Sequence, residues 1–390
     1  MPTTQSTSAM RLHGLDTLRA LAIVLVMLYH LNLQGLLPSS MEPVARIGWI
    51  GVDLFFVLSG FLIGSQLFKP YLTGKEPSLK DFYTRRAYRI LPAFLVVLLL
   101  YVGVPLWREA PGPYAGWQYA TFTWNLLLLG YPKDRAFSHV WSLCVEEHFY
   151  LIFPLLLLLF MRRPSVSKTA SILFLITLGG VALRAWLLHF VIQPAHDHQG
   201  LLMMKYIYYP TYSRLDGLVS GVSLAIMKTF RVEWWSRLAK HGGLLALFGS
   251  SFVLGALWLC GFDYPTPDLP FSILFAFPAL ACGFGLLVTS ANSENGFLTV
   301  RVPGASTIAA LAFSLYLTHK SVAHAAHLLL PVLTEQAGCR SSSIYAGACL
   351  GVASLLYFGV ERPFLALRVR RTTRPEIDQI QREVRSDAAI

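Results

Sequence analysis

Charged residues are scarce in this sequence. Asp, Glu, Lys and Arg make up only 14% of its 390 residues, whereas soluble globular domains carry about 25%. Hydrophobic residues account for 55%, so the composition excludes an ordinary soluble domain and predicts an integral membrane protein. Ten mostly apolar runs approach the roughly 20 residues that a spanning helix needs: 12–33, 47–67, 90–107, 140–161, 169–192, 211–228, 243–261, 270–290, 308–331 and 344–361.

Cysteine is also rare, and the common chemical motifs are missing. The five cysteines follow no metal-binding or redox spacing; a disulfide between Cys260 and Cys339, near the predicted outer face, is an open alternative. There is no Gly-rich phosphate loop, no GxSxG elbow and no HExxH zinc motif. We therefore predict no metal site and no permanently bound cofactor.

The predicted fold class is an all-α integral membrane protein, a bundle of about ten transmembrane helices. Residues 119–130 form an eleventh apolar patch, but twelve residues rise only about 18 Å as a helix, short of the roughly 30 Å hydrocarbon core. We interpret this patch as a short re-entrant or interfacial helix. No compositional boundary divides the helices, so we predict one transmembrane domain over 1–365 and a polar cytoplasmic tail over 366–390.

The lysines and arginines predict the orientation of the bundle. With a cytoplasmic N-terminus, 22 of the 32 basic residues fall in inner connections, six fall in outer ones and four lie inside predicted spans. Basic residues favour the cytoplasmic side of a membrane, so we predict that both termini are cytoplasmic. The same asymmetry explains the net charge of +11 without a nucleic-acid partner.

The four basic residues inside predicted spans are Arg19, Arg184, Arg214 and Lys320. A charge at membrane depth is costly and usually faces a bundle interior or a wet cavity, so each is a functional candidate. For Arg214, we weigh neutralisation of charge in a site together with Asp216 against a purely structural ion pair.

Arg19 and His30 are separated by nearly three helical turns, so both side chains emerge on one helix face about 16 Å apart along the axis. We predict that they line one side of a cavity. The alternatives are an arginine that reaches the membrane interface and a histidine that ties two helices together by a hydrogen bond.

Several acids lie at a depth similar to that of His30. Asp53, Glu146, Glu147 and Asp216 each fall one to two turns below the predicted outer end of a helix, which indicates a polar cavity. Asp53 could instead pair with a neighbouring arginine. Adjacent residues on a helix lie about 100° apart, so only one of the two glutamates is expected to face the cavity, and we favour Glu147.

Two further patterns are ambiguous. Arg86 and Arg89 share a helix face just before the third span and offer planar donors suited to phosphate oxygens, although basic residues there also mark the cytoplasmic side. Lys320, His324 and His327 form a stripe on the ninth run, which could line a proton-accessible path or lie at the membrane interface.

At these residues the sequence resembles the acyltransferase family 3 membrane proteins. The matching motifs are "LDTLRALAIVLVMLYH", "GVDLFFVLSGFLIG", the Arg-x-x-Arg of Arg86 and Arg89, "HVWSLCVEEHFYLIFP", "RLDGLVSG" and "FSLYLTH". They occur in order and extend over about residues 12 to 365.

The resemblance implies transfer of an acyl group, often acetyl, from cytoplasmic acyl-coenzyme A to a hydroxyl of a sugar or glycolipid acceptor, by a multi-pass protein of the bacterial cytoplasmic (inner) membrane. From the residues themselves, we expect His30 to act as general base with Asp53 and Glu147 as supporting carboxylates, because a neutral imidazole can take a proton from a hydroxyl near neutral pH. We expect Arg86 and Arg89 to hold the phosphates of the donor and Arg19 to guide its entering arm. We expect contacts with the substrates from His139, Trp141, Arg214, Asp216 and His319.

Two alternatives stay open at this level. Transfer could be direct or could pass through a covalent acyl-histidine. The buried charges could also form the substrate path of a transporter or flippase, although the inverted halves with interrupted helices expected of such a protein are not evident in the sequence.

Overall fold

The computed structural model describes residues 13–162, 165–293, 296–334 and 338–369. Most of the predicted tail, from residue 370 onward, lies outside these described residues. Over the described ranges the chain is helical and contains no β-strand. The predicted all-helical fold is therefore confirmed.

Each of the ten predicted runs coincides with a helix. We number them α1 His13–Leu33, α2 Ile50–Phe68, α3 Leu79–Gly103, α4 Trp141–Met161, α5 Val166–Leu187, α6 Asp216–Phe230, α7 Gly242–Leu259, α8 Pro270–Ala291, α9 Ala305–Leu329 and α10 Cys339–Leu356. Among the described residues, eight of them, all except α6 and α9, are long and apolar enough to cross a membrane. The predicted number of about ten crossings thus stays a prediction.

The helices divide into a buried centre and an apolar periphery. α2 is buried along most of its length, including Leu54, Phe56 and Phe61. Outer helices such as α3, α5, α7 and α10 instead expose large apolar side chains, among them Leu99 and Leu355. An apolar outer surface of this extent suits contact with lipid, as a multi-pass membrane protein requires.

Glycines allow α2 and α6 to pack closely. A Cβ atom on Gly60 would lie 2.3 Å from the backbone oxygen of Leu218, and one on Gly221 would lie 2.2 Å from that of Val57. No side chain larger than hydrogen fits either position without moving backbone. Small residues at such a contact are typical of helix packing in membranes.

The two ends of the bundle differ. We call the end near the starts of α1 and α3 the basic end, because Arg19, Arg86 and Arg89 lie there. The opposite end, which we call the loop end, carries the long connection between α3 and α4. There the Trp49 indole donates a hydrogen bond of 3.0 Å to the backbone oxygen of Asp263, which ties the α1–α2 connection to the α7–α8 connection.

The apolar patch at 119–130 forms two short pieces rather than one helix. Helices Gly116–Ala120 and Trp124–Leu127 are separated by a turn. Tyr119 and Trp124 are buried, and the Tyr119 hydroxyl donates to the backbone oxygen of Ala136 at 3.0 Å. The patch therefore does not span, as predicted, but it packs into the loop end instead of forming a single re-entrant helix.

Candidate active site

Three histidines meet inside the bundle toward its loop end. His30 comes from α1, His319 from α9, and His139 from the turn Ser138–Val140 that precedes α4. The ring centroids are 5.0 Å apart for His30 and His319, 5.1 Å for His139 and His319, and 6.0 Å for His30 and His139. His139 and His319 are buried and His30 is partly buried. Segments far apart in sequence thus build one imidazole cluster.

The hydrogen bonds of His319 determine where the protons of two rings lie. Its Nδ1 is 3.0 Å from the backbone oxygen of Leu315 and 2.9 Å from that of Tyr316. Carbonyl oxygens only accept, so Nδ1 carries the proton, and Nε2 of the neutral ring has a lone pair. That Nε2 lies 3.0 Å from Nδ1 of His30. His30 therefore donates through Nδ1, and its own Nε2 has a free lone pair that can take up a proton.

The turn that carries His139 is anchored by a tyrosine. The Tyr316 hydroxyl donates to the backbone oxygen of His139, and Ser142 Oγ lies 2.9 Å from the same hydroxyl. Both ring nitrogens of His139 are buried without a hydrogen bond of normal geometry to the described residues. The His139 ring is therefore held near His30 and His319 by the anchored turn.

An ion pair between a lysine and a glutamate borders the histidine cluster. Lys320 Nζ lies 2.7 Å from Glu109 Oε1 and donates to Ser138 Oγ at 3.3 Å. Glu109 was missed in the sequence because it lies in a Pro- and Gly-containing connection with no helical periodicity. The carboxylate that balances Lys320 could only be identified from the fold.

Asp53 pairs with an arginine and not with His30, which is the alternative that the sequence left open. Its two carboxylate oxygens accept hydrogen bonds of 2.9 and 3.0 Å from Arg214, and both side chains are buried. The acceptor for His30 is the imidazole of His319 instead. A buried carboxylate needs a compensating charge, and Arg214 on the neighbouring helix start supplies it.

Arg214 and Asp216 do not pair with each other either. Asp216 accepts two hydrogen bonds, of 2.8 and 3.1 Å, from Arg184. Residues two apart at a helix start point in widely different directions, so Arg214 faces α2 while Asp216 faces α5. Trp141 belongs to the same region, with its ring 5.1 Å from the Arg214 guanidinium. Two of the residues expected to contact substrates, Arg214 and Asp216, thus lie in buried ion pairs, and a third, Trp141, packs beside them.

The two glutamates of α4 also lie away from His30. Glu146 accepts a hydrogen bond from Ser59, and Tyr150 donates to the same serine at 3.1 Å. Glu147 Oε1 is buried without a hydrogen-bond partner among the described residues, and both carboxylates interact electrostatically with Arg86. The expected contact between Glu147 and His30 is therefore absent from the described part of the chain, because this face of α4 is directed toward α2 and α3.

The three arginines predicted to bind the donor lie together at the basic end. Arg19 interacts electrostatically with Arg86 and Arg89. The Arg86 guanidinium lies over the Tyr150 ring at 4.8 Å, and Arg89 Nη1 is 4.0 Å from Glu361 Oε1.

The side chains of Arg19 and Arg89 are 34% and 43% exposed. Each of the three arginines has a carboxylate nearby, including Asp16 at 3.8 Å from Arg19. The exposed parts of Arg19 and Arg89 nevertheless offer guanidinium donors of the kind that bind anions.

Comparison with known proteins gives the family. A family model described as an acyltransferase domain matches residues 12–358. A Staphylococcus aureus (strain COL) protein named "Putative O-acetyltransferase" is 34% identical over 226 residues, and O-acetyltransferase OatA of S. aureus (strain NCTC 8325) is 30% identical over 229 residues. Each match covers 55% of this chain and 34% of the relative, so the chain matches about a third of the length of these relatives.

No solved structure matches significantly. The family match, in contrast, extends over nearly all of the described helices. The chain therefore belongs to the acyltransferase family 3 membrane proteins.

Proposed function

We propose that this protein is a membrane O-acyltransferase that moves an acyl group, expected to be acetyl, from acyl-coenzyme A to a hydroxyl of a sugar, polysaccharide or glycolipid acceptor. Family membership and the O-acetyltransferase names of the relatives support the reaction class. The observation that carries the proposal is the hydrogen bond from His30 to His319, because it leaves a basic nitrogen on His30 inside the bundle.

In the proposed reaction His30 is the general base. Its Nε2 takes the proton from the acceptor hydroxyl while that oxygen adds to the thioester carbonyl. The tetrahedral intermediate then collapses, the carbon–sulfur bond breaks, and the imidazolium returns the proton to the departing coenzyme A thiolate. Base catalysis of this kind contributes about 10²- to 10⁴-fold.

His319 acts as a positioning residue in this scheme. Its Nε2 accepts from Nδ1 of His30 in the resting enzyme and continues to accept when His30 becomes positively charged. A hydrogen bond to a charged donor is stronger than one to a neutral donor. This is the function that a carboxylate performs in a Ser-His-Asp triad, here performed by a neutral imidazole.

Donor binding is proposed at the basic end. Arg19, Arg86 and Arg89 would hold the phosphates of the coenzyme, and planar guanidinium groups match phosphate oxygens well. Arg19 and His30 are on one face of α1, about 16 Å apart along the helix axis. The pantetheine arm would run along this face and bring the thioester to His30.

The proposed topology follows from the distribution of basic residues. The basic end faces the cytoplasm of a bacterium, both termini are cytoplasmic, and the protein lies in the inner membrane. α6 and α9 complete ten crossings. α9 has 25 residues and is about 37 Å long. α6 has only 15 but lies against α2 and is extended at its start by the turn Thr211–Ser213.

The proposal is tested with His30→Ala in membranes from cells that produce the chain. Radiolabelled acetyl-coenzyme A is added, label is followed into glycan and lipid fractions, and the acylated product is identified by mass spectrometry against cells without the protein. We expect incorporation to be lost in the variant. Full incorporation of label by His30→Ala would refute the proposal. Movement of the acceptor across a vesicle membrane in the absence of acetyl-coenzyme A would also refute it.

A matched control is available on α4. His148 is a partly buried histidine whose Nδ1 lies 2.7 Å from Thr211 Oγ1, and His148→Leu should keep activity within about two-fold, since no reacting atom is assigned there. A single-turnover reaction with labelled donor and no acceptor distinguishes the two mechanisms. Direct transfer leaves no label on the protein. An acyl-histidine intermediate leaves label on the wild type and none on His30→Ala.

A further inference from the structure

Lys320 and Glu109 form an ion pair inside the loop end of the bundle. Lys320 Nζ lies 2.7 Å from Glu109 Oε1, and the two side chains are only 12% and 4% exposed. A buried ion pair carries a large desolvation penalty and often adds little to stability, and a charge inside a membrane bundle is a functional candidate. The reaction proposed above uses neither of these two charges.

The ammonium is the end of the pair that faces the histidine cluster. Lys320 acts electrostatically on His30, His139 and His319. On His319, where both charges act, the effect of Lys320 is larger than that of Glu109. Glu109 therefore lies farther from this ring than Lys320 does. The pair forms a fixed dipole whose positive end is directed toward the proposed base.

The ammonium of Lys320 is held in place and still has a hydrogen to donate. An ammonium has three N–H donors. One is directed to Glu109 at 2.7 Å, and a second is donated to Ser138 Oγ at 3.3 Å, on the turn that carries His139. Within the described part of the chain, the third N–H has no acceptor of its own. A bound substrate could accept it.

We propose that the Lys320 ammonium stabilises the negative charge that develops on the thioester oxygen during acyl transfer. This inference rests on the proposed function and adds a catalytic residue to it. While His30 takes the proton of the hydroxyl, the carbonyl oxygen gains the electron pair of the carbon–oxygen π bond and accepts a hydrogen bond from Lys320 Nζ. The electron pair returns when the carbon–sulfur bond breaks, and Lys320 keeps all three protons.

The pairing with Glu109 makes this charge compatible with a nearby base. An unpaired ammonium would oppose protonation of His30, because a like charge disfavours the charged form of a titratable group. The carboxylate of Glu109 reduces this repulsion, while an oxyanion that accepts from the ammonium is still in direct contact with it. Dipoles fixed toward a developing charge need no reorganisation during the reaction, and loss of one such donor typically lowers kcat about 10²- to 10³-fold.

The test measures kcat and KM of full-length variants in proteoliposomes, with acetyl-coenzyme A and the glycan or lipid fraction that the wild type acylates. The double variant Lys320→Met/Glu109→Leu removes both charges and so leaves no unpaired charge buried. We expect its kcat to be at least about 100-fold below that of the wild type, with KM for acetyl-coenzyme A within about two-fold. Lys320→Arg keeps a positive donor and should keep kcat within about ten-fold.

Three controls separate a catalytic function of Lys320 from a structural one. Glu109→Gln keeps an oxygen that accepts from the ammonium, so kcat should stay within about ten-fold. Ser138→Ala removes only the hydrogen bond to the turn and should lower kcat less than about three-fold. Lys205→Met removes a partly buried lysine whose ammonium lies 5.4 Å from the Tyr206 ring centroid, and it should leave kcat within about two-fold.

The two proposals fail in distinguishable ways. If the wild type consumes no acetyl-coenzyme A and acylates no cellular glycan or lipid, the proposed function is wrong and this inference with it. If the wild type is active and the folded double variant keeps more than about a tenth of its kcat, the ion pair is structural and only this inference is overturned.

A loss in Ser138→Ala as large as in the double variant would also overturn the inference, because Lys320 would then only position the turn. If the double variant does not fold, Lys320→Gln decides by the same criterion. Its amide can still donate to Glu109, but it carries no charge.

Discussion

Replacement of His319 by Leu removes the imidazole that accepts the His30 Nδ1 proton and puts an apolar side chain of similar size in its place. In the wild type, Nδ1 of His30 lies 3.0 Å from Nε2 of His319, and this contact keeps the proton on Nδ1. Without it, the Nδ1 proton loses its side-chain acceptor, and the ring keeps the backbone contact with Val26 one turn earlier on α1. The ring can then rotate or adopt the other tautomer, which places a proton on the Nε2 that must be free to act as a base.

The size of the effect follows from the lost hydrogen bond. A buried donor that loses its side-chain acceptor costs about 1–3 kcal/mol, and each 1.36 kcal/mol changes a rate about ten-fold. His319→Leu should therefore lower kcat about five- to 150-fold. The variant should retain more activity than His30→Ala, because His30 itself is still present. His319→Gln, whose amide oxygen can accept, should lose less than His319→Leu.

The assay is the release of coenzyme A together with acylated product, measured at saturating acetyl-coenzyme A in proteoliposomes. His148→Leu serves as the control for loss of a partly buried, hydrogen-bonded histidine. KM for the donor should change little, because the proposed binding site for its phosphates is at the other end of the bundle. A thermal melt in detergent shows whether His319→Leu is folded.

Two results would contradict this reasoning. If folded His319→Leu keeps more than half of wild-type kcat while His30→Ala is inactive, the contact between the two imidazoles does not prepare the base. If His319→Leu and His319→Gln are both as inactive as His30→Ala, His319 has a catalytic function of its own and the assignment of the base to His30 is wrong.

Three further predictions concern donor binding and stability. Arg86→Ala should raise KM for acetyl-coenzyme A about ten- to 100-fold, as expected for a lost charge-assisted hydrogen bond. The control Arg85→Ala, on a different face of α3, should change this KM less than about two-fold. Equal effects of the two variants would mean that these arginines only anchor the chain at the membrane surface. Arg214→Met leaves Asp53 buried and unpaired, so detergent-melt stability should fall by about 3–5 kcal/mol, and adding Asp53→Leu should recover more than half of the loss; no recovery would mean that the pair is not the cause. Gly221→Ala places a Cβ 2.2 Å from the backbone oxygen of Val57 and should lower stability by about 1–3 kcal/mol in the same melt. The control is Gly255→Ala on the exposed face of α7, where a Cβ meets nothing within 4 Å; it should lower stability by less than about 1 kcal/mol.

Much of the helical architecture could be predicted from the sequence. Long apolar runs can satisfy their backbone only as helices in lipid, so the ten segments were correctly located. The exception was residues 119–130, where the apolar composition suggested one helix. Phe122 and Leu128 have positive φ angles of 56° and 46°, and left-handed residues of this kind end a helix, which composition alone does not reveal.

The sequence predicts which residues belong to the candidate site better than it predicts which of them contact each other. His30, His139 and His319 were identified as candidates, and the structure brings them together. An arginine partner for Asp53 was one of two alternatives, but its identity and the partners of Asp216 and His30 were not foreseen, because depth along a helix is readable from sequence but rotation relative to the neighbours is not. Residues at the same depth on different helices can face each other or face away, and only packing decides between these outcomes.

The two ion pairs at the start of α6, Arg214 with Asp53 and Asp216 with Arg184, affect how this chain enters a membrane. α6 is about 22 Å long, shorter than the hydrocarbon core, and it begins beside two charges that each cost about 2.5–3.5 kcal/mol at the centre of an inserting segment. Such a segment does not partition into lipid unaided. Its partners on α2 and α5 precede it in the chain, so synthesis delivers both counter-charges first. α6 should then leave the insertion machinery as part of a preassembled cluster, after its neighbours and not as an independent unit.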